Sequence, residues 1–190
     1  MVYLPEGSRG RLPVMVYCHG WGGSQKLPPV MERLQPKLEA AGTALLSFDF
    51  FGCGETGGSY SEMTYGRWHR NLADIFAWLA AQAWADPTRA GCFAISSGTT
   101  AMMRFASEAR APAYAISVAS CLGAFIGMPN PPGRILVEHL DSLVAGKTAE
   151  LFGTQFGLEF FRDFLSAAPI YTLNSITCPV FFLQGGADNP

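Results

Sequence analysis

A serine, a histidine–glycine loop and a late aspartate are the residues of this sequence best placed to do chemistry together. Ser96 lies in Ala94-Ile95-Ser96-Ser97-Gly98, between an apolar run and a helical pattern. A turn of the form small-x-Ser-x-Gly between strand and helix forces its central residue into a strained backbone conformation. The residues two before and two after must then be small, because strand and helix approach closely there. Centred on Ser96, those flanks are Ala94 and Gly98, and both fit. Centred on Ser97 they are Ile95 and Thr99, both β-branched and poorly suited. The pentapeptide alone fits equally well a serine that caps the helix beginning near Thr99.

A serine nucleophile needs a base to take its proton and donors to receive the oxyanion that forms on the carbonyl it attacks. The stretch "YCHGWGGSQ", residues 17–25, follows an apolar run and supplies a glycine-rich turn whose backbone N–H groups could be such donors. His19 precedes the glycines at a strand end, where its ring can hydrogen-bond and hold the loop, a structural role rather than a catalytic one. Near the other end, "GGADNP" places Asp188 after the apolar run "PVFFLQ". An aspartate at the carboxyl end of a late strand can orient a histidine and stabilise its imidazolium. Gly-x-x-Asp is also ordinary turn chemistry.

The elements that must position these residues are legible as apolar runs alternating with helical patterns. The runs are 14–19, 44–50, 91–96, 114–120 and 179–184, and residues 2–4 read as the end of one more strand. So little polar alternation suits strands covered on both faces, as in a parallel sheet. Helical patterns at 30–42, 65–84 and 97–109 lie between them, which predicts a doubly wound α/β sheet. Pro36 is expected to kink the first helix or delay its start. Residues 124–174 break the rhythm, with a turn-rich beginning and helical patterns at 134–146 and 158–168. They read as a small helical cap over one sheet edge, whose apolar residues either line a pocket or pack down onto the sheet.

Composition bounds the function classes. The chain has 190 residues, 49% of them hydrophobic and 15% charged, which suits one compact domain with a sizeable core. With a net charge of −2 and no Lys/Arg cluster, nucleic acid is not an expected partner. No apolar run is long enough to span a membrane, and the first residues do not read as a signal peptide, so the expectation is a cytoplasmic protein. Cys18, Cys53, Cys92, Cys121 and Cys178 form no Cys-x-x-Cys pair, which points to reduced thiols rather than a metal site. No metal and no cofactor is expected.

Taken in order, these motifs resemble those of α/β-hydrolases, near the serine aminopeptidase, feruloyl-esterase and acylaminoacyl-peptidase branches. "HGWGGS" resembles the oxyanion loop of that group. "SFDFFGCGETGGSYSEMT" resembles its Asp-x-x-Gly-x-Gly-x-Ser/Thr signature, at Asp49, Gly52, Gly54 and Thr56. "WADPTRAGCFAISSG" resembles the approach to the nucleophile, with Ala94 in place of the more usual glycine, and "ITCPVFFLQGGAD" resembles the strand that carries the acid. The resemblance implies an α/β-hydrolase fold with Ser96 as nucleophile and Asp188 as acid. It places the oxyanion hole at the N–H groups of Trp21 and Ser97, supported by His19, Gly20, Ala94 and Gly98. The implied reaction is acyl transfer to water from a small-molecule ester, or from a short peptide. A scaffold that binds without turnover is the rival from another class.

The family's histidine follows the strand after the acid, and this sequence ends at Pro190. Its beginning resembles the end of the family's second strand. The expectation is therefore a single but incomplete domain over 1–190, truncated at both ends, with the catalytic histidine absent. His69, on the helix after the Asp49 loop, is expected to be solvated or capping, and His139 to lie on the cap.

Overall fold

A computed structural model describes residues 1–24, 26–108, 112–120, 131–151 and 153–186. Six strands form one sheet: β1 (Val2–Tyr3), β2 (Leu12–Cys18), β3 (Ala44–Ser47), β4 (Ala85–Ile95), β5 (Ala115–Val118) and β8 (Val180–Leu183). Their order across the sheet is β1-β3-β2-β4-β5-β8. Only β1 runs antiparallel to its neighbour, and the other pairings are parallel. Helices α1 (Pro29–Ala40), α2 (Tyr65–Ala80) and α3 (Ser97–Glu108) provide the crossovers. The five apolar runs and residues 2–4 thus fall on the six strands, in the α/β layout their sequence pattern predicts.

Period-two alternation distributes the strands between two cores. On β2, Val14, Val16 and Cys18 join the larger core with α2 and α3, while Met15 and Tyr17 join the smaller one with Met31 of α1. On β4, Ala90, Cys92 and Ala94 face the larger core and are fully buried, whereas Phe93 faces the other side. Small side chains on the α2/α3 face let those helices lie close to the strand, the requirement that singled out Ala94 in the sequence. Cys18, Cys53 and Cys92 are buried free thiols and Cys178 is a partly buried one, and Cys121 lies outside the described residues.

Three details differ from the sequence reading. Helix α1 begins with Pro29 in its first turn and runs on through Pro36, so the inner proline does not delay its start. The pattern over 134–146 is two helices, α4 (Pro132–Glu138) and α5 (Leu140–Val144), because His139 leaves helical geometry at φ −114° and ψ 13°. The cap is also not wholly helical. Between α5 and α6 (Leu158–Ser166) it contains a hairpin of β6 (Ala149–Leu151) and β7 (Thr154–Phe156). Two 3-10 turns, Pro169–Tyr171 and Leu173–Ser175, then lead to β8. Residues 124–130, the expected start of the cap, lie outside the described residues.

The aromatic residues of β7 and α6 pack downward. Phe156, Phe160, Phe161 and Phe164 are all buried, and the Phe156 and Phe160 rings stack at 3.9 Å. An ion pair reinforces the docking: Asp163 of α6 meets the Arg104 guanidinium of α3 at 3.1 Å and accepts the Gly66 N–H at the start of α2 at 3.0 Å. One carboxylate therefore ties three helices together.

Candidate active site

Parallel strands put their carboxyl ends on one edge of a sheet, where ligands of open α/β sheets bind. Here the loop 19–24 leaves β2, Ser96 leaves β4, and Ala119 leaves β5, on three strands that are neighbours in the order β2-β4-β5.

Ser96 has φ +52°, the left-handed region that costs an L-residue about 1–2 kcal/mol. It is held there from both sides. Its N–H donates to the Val118 carbonyl at 2.9 Å, and its carbonyl accepts the Thr99 N–H at 2.9 Å as well as the Thr99 hydroxyl. Ser96 is half-buried, while Ser97 is 2% exposed, so Ser96 is the more accessible of the two serines. The Ser97 N–H is the first amide of α3, a position whose donor the helix itself leaves without an acceptor.

Two glycines at this turn mark close approaches, one that excludes a side chain and one that leaves little room for it. A Cβ on Gly98 would collide with the His19 carbonyl oxygen and sit 2.8 Å from that of Cys18. A Cβ on Gly20 would lie 3.1 Å from Ser96 Cβ and 3.2 Å from the Ile95 carbonyl oxygen. The glycine-rich loop and the serine turn therefore touch at Gly20, which brings the Trp21 peptide next to Ser96 along the chain. Trp21 packs its ring against Phe156 and Phe160 of the cap, at 5.5 and 5.9 Å.

His19 sits beneath the loop, 1% exposed. Its Nε2 accepts the Phe50 N–H at 3.0 Å, so Nδ1 carries the proton and donates to the Gly20 carbonyl at 2.7 Å. Burial lowers its pKa, against the opposing pull of the Gly20 carbonyl and of Asp49. The ring packs edge-on to Phe50 and Trp68, which stack on each other at 4.4 Å. With both nitrogens engaged in this neutral tautomer, His19 splints the glycine loop to the Asp49 loop that follows β3 and is not disposed to take a proton from Ser96.

The Asp49 loop is organised by its own backbone. The Asp49 carboxylate accepts the Glu55 N–H at 2.8 Å, and its carbonyl accepts the Thr56 hydroxyl at 2.9 Å. Gly54, at φ +53°, leaves no room for a side chain beside that carboxylate. Asn71 Oδ1 of α2 accepts the Phe51 N–H at 2.8 Å, and Trp68 Nε1 donates to the Phe51 carbonyl at 3.1 Å.

The structure does not bring the remaining histidines to Ser96. His69 pairs with Glu108 at 3.2 Å, at the far end of α3, and its pKa is lowered by burial although Glu108 opposes the shift. His139 is exposed at the junction of α4 and α5. Asp188 lies outside the described residues.

Several contributors had no local signal in the sequence. Ala119 adopts φ +49° at the end of β5, a second left-handed turn beside the first. Its N–H donates to the Leu183 carbonyl at 2.9 Å, and the next N–H, of Ser120, donates to Gln184 Oε1 at 3.0 Å. Tyr60, 38 residues from the glycine loop, accepts the Gly22 N–H at 3.2 Å. Among the described residues, no group of His, Cys, Asp and Glu side chains could hold a metal ion. No helix among them is long and apolar enough to cross a membrane.

No family model and no curated protein sequence matches the chain. Solved structures do. Est1E from Butyrivibrio proteoclasticus, with ferulic acid bound, superposes at a TM-score of 0.77 and 17% identity, over 96% of this chain and 72% of that one. A monoacylglycerol lipase from Paleococcus ferrophilus gives 0.73 at 14% identity, over 94% and 76% of the two chains. Alpha/beta hydrolase domain-containing protein 10 from mouse gives 0.70 at 18% identity, over 94% and 70%. The chain has the α/β-hydrolase fold.

Proposed function

We propose that this chain carries the nucleophile and oxyanion site of a serine hydrolase that cleaves carboxylic esters through an acyl-enzyme. The observation that carries the reading is Ser96. It is a non-glycine residue at φ +52°, accessible at the carboxyl edge of the sheet, and pressed against a glycine-rich loop. Strain of this kind persists where the surrounding structure enforces it, and it clusters at reactive positions.

In the proposed reaction Ser96 Oγ attacks the ester carbonyl carbon as a histidine takes its proton. The N–H groups of Trp21 and Ser97 receive the charge on the carbonyl oxygen, each such donor contributing on the order of 3 kcal/mol. Collapse breaks the bond to the alcohol, which leaves with the proton from the histidine. Water, deprotonated by the same histidine, then attacks the acyl carbon and frees Ser96 and the acid. Asp188 is the residue proposed to orient that histidine. Because His19 is engaged, His69 is paired with Glu108 and His139 is exposed on the cap, the base is proposed to come from outside these 190 residues. The monoacylglycerol lipase among the structural neighbours supports ester over amide.

The test is hydrolysis of p-nitrophenyl acetate and of a matched p-nitroanilide by the full-length protein. Ester turnover that falls by several orders of magnitude in Ser96→Ala supports the assignment. Faster turnover of the anilide moves it to a peptidase. Binding of an acyl ligand without turnover moves it to a non-catalytic scaffold. On its own the 190-residue chain is expected to give only the residual acceleration left without one triad member, about 10³–10⁴ over water.

A further inference from the structure

The loop that carries Trp21 is a β-turn. The Gly23 N–H donates to the Gly20 carbonyl at 3.1 Å, and the third residue of the turn, Gly22, has φ +64°. A positive φ at that position is the mark of a type II turn, and types I and II differ by a flip of the central peptide. Here the central peptide is Trp21–Gly22. Glycine at the third position admits both conformations at little cost, so the sequence of the turn does not by itself select one. A flip changes ψ of Trp21 and φ of Gly22, turning the Trp21 carbonyl and the Gly22 N–H over and loosening the turn against the elements that hold it.

The Gly22 N–H belongs to that central peptide, and it is bound by a side chain from elsewhere in the fold, the phenol oxygen of Tyr60 at 3.2 Å. Tyr60 is itself well fixed. It opens a 3-10 turn, Tyr60–Glu62, whose capping box pairs Ser59 with Glu62, the Ser59 N–H donating to Glu62 Oε2 at 3.0 Å. The Gly157 N–H of the cap donates to the Ser61 carbonyl at 2.8 Å, and the Tyr60 ring packs on Phe156 at 5.6 Å. Phe156 in turn packs on Trp21. The phenol and the cap ring therefore grip successive residues of one turn.

We infer that Tyr60 is a positioning residue for the oxyanion turn: its hydroxyl anchors the Gly22 N–H, keeps the turn in its type II form and, with Phe156 against the Trp21 ring, holds in place the turn that carries the Trp21 amide. The role rests on the assignment of Ser96 as nucleophile with Trp21 as an oxyanion donor. It also gives the cap a task at the site, since the hairpin strand β7 holds the Tyr60 turn against the loop.

The variant that tests it is Tyr60→Phe in the full-length protein, which keeps the ring packing and removes only the acceptor. Two readouts are taken, hydrogen exchange of the Gly22 amide and steady-state hydrolysis of p-nitrophenyl acetate. Loss of one neutral hydrogen bond is expected to speed Gly22 exchange and to lower kcat about three- to tenfold, with KM changed less than about twofold. A merely structural contact would shift the urea midpoint without this split between kcat and KM. Unchanged Gly22 exchange overturns the lock whatever the activity, and faster exchange with unchanged kcat overturns its part in the reaction. A wild-type protein that neither turns over esters nor reacts at Ser96 overturns the hydrolase reading itself, and the positioning role with it.

Discussion

Replacing Ser96 by glycine and by alanine separates the strain of the turn from its chemistry. Both variants lack the hydroxyl, so both are expected to be equally inactive, and their stabilities can be compared without reference to function. At φ +52° alanine keeps the clash between Cβ and backbone that costs about 1–2 kcal/mol, while glycine relieves it. Glycine also gains entropy in the unfolded chain, which offsets part of the relief. Where φ is positive, alanine is nonetheless worse than glycine by more than about 0.4–1 kcal/mol net. Ser96→Gly is therefore expected to be more stable than Ser96→Ala by about 1 kcal/mol. In urea, with a slope of about 2 kcal/mol per molar, that is a difference of about 0.5 M in midpoint. In a thermal melt of a chain this size it is about 2–4 °C. Equal midpoints, or a glycine variant less stable than the alanine one, would refute the claim that the fold holds Ser96 in a strained turn.

Three further expectations follow from the same geometry. Gly98→Ala drives a Cβ onto the carbonyl oxygens of His19 and Cys18 and should lower stability by about 1–3 kcal/mol, read as a urea midpoint; no loss would mean α3 does not approach β2 this closely. His19, neutral and buried, should titrate below the ~6.5 of a free imidazole and show the Nδ1–H tautomer by nitrogen NMR. Its folded pKa lies below its unfolded one, so its contribution to stability is full above the unfolded pKa and is lost as pH falls from there toward the folded value. A midpoint that does not drop between neutral and mildly acidic pH contradicts this. Asp163→Ala removes the acceptor of Gly66 and the partner of Arg104 and should cost about 1–2 kcal/mol. The loss should be smaller at high salt, because both side chains are partly exposed. An unchanged midpoint would mean that this ion pair does not hold the cap.

The strands were readable because burial on both faces leaves an unbroken apolar run, and that constraint is local. That the strained turn centres on Ser96 and not on Ser97 was readable for a similar reason, since the size of Ala94 and Gly98 records how near β2 and the His19 carbonyl come. Strand β4 extends further back than its apolar run, to Ala85, because Leu12 pairs with Ala85 ahead of an irregularity in register. Polar Asp86, Thr88 and Arg89 in that stretch hid it. The β6–β7 hairpin was hidden by length, three residues per strand being too few to show a period. The helical pattern over 134–146 was real, yet one residue, His139, departs from it and splits the segment. Tyr60 and Asp163 act on backbone 38 and 97 residues away, and no property of their own neighbourhoods marks them. What the sequence concealed, then, was contact across the fold rather than local conformation.

The central claim is that Ser96 is an activated nucleophile, and its most direct measurement is reaction of the full-length protein with a fluorophosphonate, followed by mapping of the modified residue. The account predicts a single adduct on Ser96, none on the buried Ser97, and none in Ser96→Ala. No adduct, or an adduct on Ser97 or Ser120 with Ser96 untouched, would contradict it.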